Sequence, residues 1–218
     1  MTPSDSGASS TEAHSRRRRR MVEGQLRRRG IEDERVLAAM GEVPRERFVP
    51  TELRDRAYDD CALPISDGQT ISQPWIVARM TALLELEGPE RVLEVGTGSG
   101  YGAAVLSRCC SHVVTVERIP VLAERARDTL ARLGYPNVEA RTGDGTAGVA
   151  DRAPFDAIVV TAAADQGPPR ALTDQLVAGG ALVCPVERDG DERLVRIRNG
   201  DVERIAAVRF VPLVEGEA

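Results

Sequence analysis

The chain has 218 residues, 42% of them hydrophobic and 29% charged, with a formal net charge of −5. That length suits one domain with a substantial core, or a domain with a small subdomain, and the composition is that of an ordinary soluble globular protein. The negative balance argues against a general nucleic-acid-binding surface, and no stretch demands a membrane or a fibre.

All 29 basic residues are arginine, which excludes a Schiff-base lysine or a P-loop lysine. The four cysteines, Cys61, Cys109, Cys110 and Cys184, include no C-x-x-C pair, and the only histidines are His14 and His112. No metal ligands are therefore assigned, and a reducing cytoplasm is the expected compartment.

Residues 1–20 combine a Ser, Thr, Gly and Ala-rich start with Arg16 to Arg20. With so little apolar surface they are expected to form a disordered, solvated tail. No apolar stretch follows the arginines, so a signal peptide is not expected. From Met21 the pattern turns helical, first to Arg29 and then, beyond Gly30, from Glu32 to Met40. Pro44 and Pro50 punctuate a loop around Phe48. The stretch from Ala57 to Pro74 has no helical period and many turn residues, and reads as an ordered loop with short extended pieces. Trp75 to Leu86 is an amphipathic helix, with Pro74 in its first turn and Ser72 where an N-cap belongs.

Beyond Gly88-Pro89 apolar runs alternate with helices. Strands are expected at Val92–Val95, His112–Glu117, Val138–Thr142, Phe155–Thr161 and Ala181–Val186. The intervening helices fall at Gly102–Cys109, Pro120–Leu133 and Pro169–Val177. This alternation implies an α/β fold with a doubly wound, mostly parallel sheet. Period-two segments at Arg193–Asn199 and Ile205–Leu213, around Asn199-Gly200-Asp201, imply an antiparallel C-terminal hairpin. The expected organisation is thus a tail (1–20), an N-terminal helix and loop region (21–88) and an α/β core (89–218), with 21–213 forming one compact unit.

The first core strand breaks into Gly96-Thr97-Gly98-Ser99-Gly100-Tyr101. A buried strand ending in a glycine loop that opens a helix brings backbone N–H groups close to a ligand. Counted from Gly96, the third dinucleotide glycine falls on Tyr101 and does not fit. Counted from Gly98, Gly100 and Ala103 fit, but two residues too far from the strand. The plain alternation of Gly96, Gly98 and Gly100 after Glu94 looks instead like the first motif of S-adenosylmethionine-dependent methyltransferases, with a dehydrogenase or a simple glycine turn as alternatives.

In such a sheet the ligand lies beyond the carboxyl ends of the strands, where the loop 96–101, Glu117 and Asp144 meet. Glu117 suits ribose hydroxyls, whether of NAD or of S-adenosylmethionine. Asp144, between Gly143 and Gly145, suits an adenine amino group or, without a ligand, an Asp-Gly turn.

Thr70-Ile71-Ser72-Gln73-Pro74, Val92 to Tyr101, Gly143-Asp144-Gly145, Phe155 to Ala163 and Phe210-Val211-Pro212-Leu213 together closely resemble the protein-L-isoaspartate O-methyltransferase family, from about Met21 to Leu213. Arg45 to Pro50 and Ala62 to Ile65 look similar to it too. The resemblance implies methyl transfer from S-adenosylmethionine, leaving S-adenosylhomocysteine, to the abnormal carboxylate of L-isoaspartyl residues in peptides and aged proteins, by a monomer without nucleic-acid or membrane partners. It implies that Ser72 is the active-site serine, and that the loop leading to it shapes a substrate cleft with Val211, Pro212 and Leu213. It also implies a cofactor site formed by Gln69, Thr70, Ile71, Glu94, Gly96, Thr97, Gly98, Gly100, Tyr101, Glu117, Asp144 and Gly145. Ser66, Trp75 and Asp165 depart from the family pattern. The residues alone favour an N-cap role for Ser72; the resemblance favours a hydrogen-bond donor that aims a carboxylate.

Overall fold

A computed structural model describes residues 5–216 of the chain. Its centre is a sheet in the order β10-β9-β8-β6-β3-β4-β5, with β7 (Ala164–Asp165) paired to β8. The parallel part comprises β3 (Arg91–Val95), β4 (His112–Glu117), β5 (Val138–Thr142), β6 (Phe155–Val160) and β8 (Leu176–Arg188). β9 (Asp191–Arg198) and β10 (Asp201–Ala207) continue it antiparallel, turning at Asn199-Gly200. The chain runs outward from β3 through β4 to β5, then crosses back to lay β6 on the other side of β3. The expected doubly wound α/β fold is the observed one, and its topological switch lies between β3 and β6.

Alternation along the strands explains why both faces are buried. Val92, Val113, Ala157 and Val159 belong to one core, and Leu93, Val95, Val114, Val116, Ile158 and Val160 to the other. Successive side chains point to opposite faces, so a continuous apolar run serves two layers. The first face is covered by α2 (Glu34–Glu42), α3 (Pro74–Leu83), α4 (Tyr101–Leu106) and α5 (Pro120–Leu133). The second is covered by Val149 and by Leu172 of the four-residue α6 (Arg170–Thr173).

α6 is much shorter than the helix expected over Pro169–Val177. Gln175 ends it: its side chain accepts from Val149 N–H and donates to the Ala147 carbonyl. Leu176 then already pairs with Phe155, so β8 begins five residues earlier than its apolar run suggests, with a register shift before Ala181. The close of the hairpin also differs. β10 ends at Ala207, and Phe210 N–H is taken by the Glu192 carboxylate (2.7 Å). The segment expected as strand up to Leu213 crosses the sheet end instead.

Of the tail expected to be disordered, residues 1–4 lie outside the described residues; the remainder is helical, as α1 (Asp5–Met21). Arginine is a good helix former, and the decisive contacts are tertiary. Arg18 donates from Nε to the Gly41 carbonyl (2.8 Å) and from Nη1 to the Tyr58 hydroxyl. The Glu46 carboxylate, itself taking the Tyr58 hydroxyl proton, lies 3.9 Å from Arg18. Met21 and Leu26 are fully buried beyond it. Composition alone did not reveal that one arginine of five has a buried acceptor.

Arg18→Ala should lower unfolding stability by about 1–3 kcal/mol, because it strands the Glu46 carboxylate in a nearly dry site. Arg16→Ala, which loses only an exposed i,i+4 pair with Glu12, should cost less than about 0.5 kcal/mol. Urea denaturation of the two variants checks the difference; equal effects would mean that α1 is not anchored through Arg18.

Candidate functional site

At the carboxyl ends of β3 and β6 lies a cavity of about 260 Å³. Its floor begins where β3 breaks. Gly96 has φ +96°, and a Cβ there would drive into the Thr161 hydroxyl. That hydroxyl bonds to the Gly96 carbonyl (2.7 Å), and Thr161 N–H to the Val95 carbonyl (2.9 Å). The loop after β3 and the residue after β6 are thus knitted together at the switch, and only glycine permits the approach.

The end of β4 supports the same loop from the other side. Glu117, nearly buried, accepts from Gly98 N–H through Oε2 (2.9 Å) and from Ile119 N–H through Oε1 (3.0 Å). Each carboxylate oxygen retains acceptor capacity toward the cavity. Glu94 lies one layer deeper. Its Oε2 accepts from the Thr115 hydroxyl (2.6 Å), which adjoins the Thr97 hydroxyl (2.6 Å), and Oε1 is tucked against Gly102, where a Cβ would collide with it. Burial pushes the Glu94 carboxyl up to about 8, against the Thr115 hydrogen bond and with help from the Glu117 charge.

The opposite wall comes from two segments remote in sequence. β1 (Leu63–Pro64) and β2 (Thr70–Ile71) form a miniature hairpin that carries Gln69 to Ser72 to the rim. Ser72 does not cap α3: Gln73 occupies the cap position, and no side chain caps the helix end. Pro74 in the first turn removes one N–H that would need a partner. The half-buried Ser72 hydroxyl has no hydrogen-bond partner among the described residues and lines the cavity.

The second segment is the crossing strap. Ala163 N–H bonds to the Val211 carbonyl (2.8 Å) and Leu213 N–H to the Ala163 carbonyl (2.7 Å), which sets Val211, Pro212 and Leu213 along the cavity.

Every expected site residue except Gly100 and Asp144 lines this one cavity. Gly100 holds a left-handed backbone at the start of α4 and packs against Ala126 and Leu130 of α5. Asp144 is committed to protein groups. Oδ1 takes the Thr146 N–H and hydroxyl, and Oδ2 takes Gly216 N–H (2.8 Å), whose carbonyl accepts from Arg118. Its carboxylate thus pins the strap through Gly216 from just outside the cavity lining, while Gly145 lines the cavity against Val95. The Tyr101 hydroxyl also points elsewhere, to Met40 Sδ, with the ring edge-on to Phe48 and beneath the buried Arg45 guanidinium at 4.9 Å.

Sequence reasoning missed Val77, Val95, Gly102, Val116, Arg118, Ile119, Thr161, Ala162 and Val214 as lining residues. Val95, Val116 and Thr161 were within reach of the rule that ligands lie beyond strand ends; the others required the loop conformations. Among the described residues no group of three His, Cys, Asp or Glu is placed to hold a metal ion, and no helix is long and apolar enough to cross a membrane.

The family model described as "Protein-L-isoaspartate(D-aspartate) O-methyltransferase (PCMT)" matches residues 16–218. A protein-L-isoaspartate O-methyltransferase of Methanoculleus marisnigri is 54% identical over 203 residues, covering 91% of this chain and 92% of its own length. A solved protein-L-isoaspartate O-methyltransferase superposes with a TM-score of 0.80 at 30% identity, over 89% of this chain and 65% of that one. A putative protein-L-isoaspartate O-methyltransferase from Plasmodium falciparum, solved in complex with S-adenosyl-L-homocysteine, gives 0.76 at 28% identity over 92% and 98%. Matches of this extent take in the glycine loop, the segment ending in Ser72 and the strap together, and the chain belongs to the protein-L-isoaspartate(D-aspartate) O-methyltransferase family.

Proposed function

We propose that the chain is a repair enzyme that methylates the free carboxylate of L-isoaspartyl residues with S-adenosylmethionine, which binds in the cavity beyond β3 and β4. The observation that carries this is the convergence of a glycine loop, two carboxylates and an unpartnered serine hydroxyl on one cavity. Glu117 has acceptor capacity for ribose hydroxyls, and its charge suits a ligand that carries a positive one. The glycine spacing, which fits a dinucleotide only two residues too far from the strand end, disfavours the dehydrogenase reading. When bound, S-adenosylmethionine supplies an electrophilic methyl group on a sulfonium.

The chain's own contribution is positional. A substrate carboxylate is ionised at neutral pH and needs no general base, so the lack of a histidine or lysine at the cavity is consistent with the chemistry. Ser72 donates a hydrogen bond that aims the carboxylate. Val211, Pro212 and Leu213 exclude water from one side, and the segment from Gln69 to Ile71 from the other. Effective in-line alignment in a dry cleft is the larger part of such catalysis. Isoaspartyl peptides and proteins are the substrates, and the protein acts as a monomer in the cytoplasm.

Labelled methyl groups should pass from S-adenosylmethionine to an isoaspartyl peptide but not to its normal aspartyl twin; equal labelling of both, or of neither, would defeat the reading. Ser72→Ala should lower kcat/KM for the peptide by about 10–100-fold, the loss of one hydrogen bond to a charged group, with little change in cofactor affinity. Glu117→Gln should chiefly weaken the cofactor, by a similar factor in Kd measured calorimetrically. Exchanged phenotypes would mean exchanged roles.

Glu94 adds a pH dependence. With its carboxyl near 8 in the folded protein and about 4.5 when unfolded, the folded state retains a proton that the unfolded state has lost. Stability from this group therefore falls as pH rises from about 4.5 to 8. Glu139 and Asp151, held low by Arg152 and Arg141 respectively, act with the opposite sign and at lower pH. In Glu94→Gln the decline of Tm between pH 5 and 8 should flatten; a slope identical to that of the unmodified protein would refute the buried-acid assignment.

A further inference from the structure

A second cavity, of about 670 Å³, adjoins the first and shares Thr70, Ser72, Thr161 and Val211 with it. Ser72 therefore stands on the seam. If the first cavity takes the cofactor, a peptide whose isoaspartyl carboxylate reaches Ser72 must lead its flanking residues through the second.

The charge of that second cavity is one-sided. Among the described residues, Arg29 and Arg209 are its charged lining residues, in a chain whose net charge is −5. The two arginines differ in what holds them. Arg29 is fixed: its guanidinium lies 4.5 Å over the Trp75 ring and 2.5 Å from Asp60 Oδ2, and its carbonyl accepts from Trp75 Nε1. Arg209 is exposed and has no ion pair among the described residues. Glu192 of β9, which accepts Phe210 N–H, feels the Arg209 charge but forms no ion pair with it among the described residues. Arg209 is thus a cation without an ion-pair partner among the described residues, lining a cavity together with Trp75, Ile76 and Phe210.

We propose that this cavity selects the residues flanking the isoaspartate, and that Arg209, which lines it together with the Trp75–Arg29 stack, favours an acidic side chain there. The inference rests on the repair reading and adds a substrate preference to it. An extended peptide advances about 3.3 Å per residue, so near neighbours of the isoaspartate are the ones in reach. A guanidinium facing a carboxylate in a partly enclosed site gains a charge-assisted hydrogen bond, moderated by solvent.

The test is a set of isoaspartyl peptides, blocked at both ends so that only side chains carry charge. They are identical except for Glu, Gln or Lys at each neighbouring position in turn. At one position or more, kcat/KM should fall in the order Glu, Gln, Lys, with about fivefold between Glu and Gln expressed in KM. Raising the salt concentration should narrow that ratio.

Arg209→Gln should bring the Glu to Gln ratio to about one, and Arg209→Lys should retain part of it. A flat series, or a preference that survives Arg209→Gln, would overturn the inference while leaving the repair activity on the Gln peptides intact. Should Arg209→Gln fail to fold, a preference indifferent to salt in the unmodified protein would overturn it as well. No labelling of any peptide would end the repair reading and this inference together.

Discussion

The site depends on how closely two strand ends approach at the topological switch. Thr161, the first residue past β6, places its hydroxyl where a side chain on Gly96 would have to be. The resulting bonds to the Val95 and Gly96 carbonyls turn the chain sharply out of β3. Everything downstream inherits that turn. Gly98 reaches Glu117, Gly100 starts α4 in a left-handed conformation against α5, and Gly102 lies flat enough to admit the Glu94 carboxyl beneath it. The glycines are thus required by packing from several directions at once, and the open backbone they leave is what a ligand meets.

Electrostatics divides the two joined cavities. The deeper one has Glu94 and Glu117 at its floor, one protonated by burial near neutral pH and the other organised by two backbone N–H groups. Among the described residues, the charged side chains that line the outer one are Arg29, paired with Asp60, and Arg209. On the reading proposed above, a cationic cofactor and an anionic acceptor would approach Ser72 from sides of suitable sign. Attraction between such reactants needs no help from the protein; what they need is a common line of approach and the exclusion of water.

That exclusion comes from segments outside the α/β alternation. The hairpin of β1 and β2 and the crossing strap have little regular structure, yet each is tied down: Ile65 to Gln69, Gln73 to Asp60, Leu213 to Ala163, and Gly216 to Asp144. Behind them the helices of the first face bury Arg45 completely. It bonds from Nε to the Ala57 carbonyl and stacks on Tyr101, while its two terminal nitrogens have no hydrogen-bond partner among the described residues. An uncompensated guanidinium there is costly, and it ties the loop before β1 to the first residue of α4.

Much of this was legible in the residues. Strong local signals marked β3, β4, α5 and β5, whose apolar runs and capping prolines coincide with the observed bounds to within a residue. The glycine loop, Glu117 and the Ser72 segment were recognisable as site elements because their chemistry is carried by residue type and spacing. Boundaries were lost where a long-range partner overruled the local pattern: Gln175 truncating α6, Glu192 drawing Phe210 out of the sheet, Glu46 and Gly41 ordering Arg18. Sequence determined the alternation of strands and helices, and hence a wound sheet with a ligand rim, since periodicity and glycine placement are local properties. Only the tertiary structure decided that Asp144 serves the strap, that Ser72 is left uncapped, and that Arg209 faces a second cavity. Each of those outcomes turns on which distant group arrives first to satisfy a hydrogen bond or a charge.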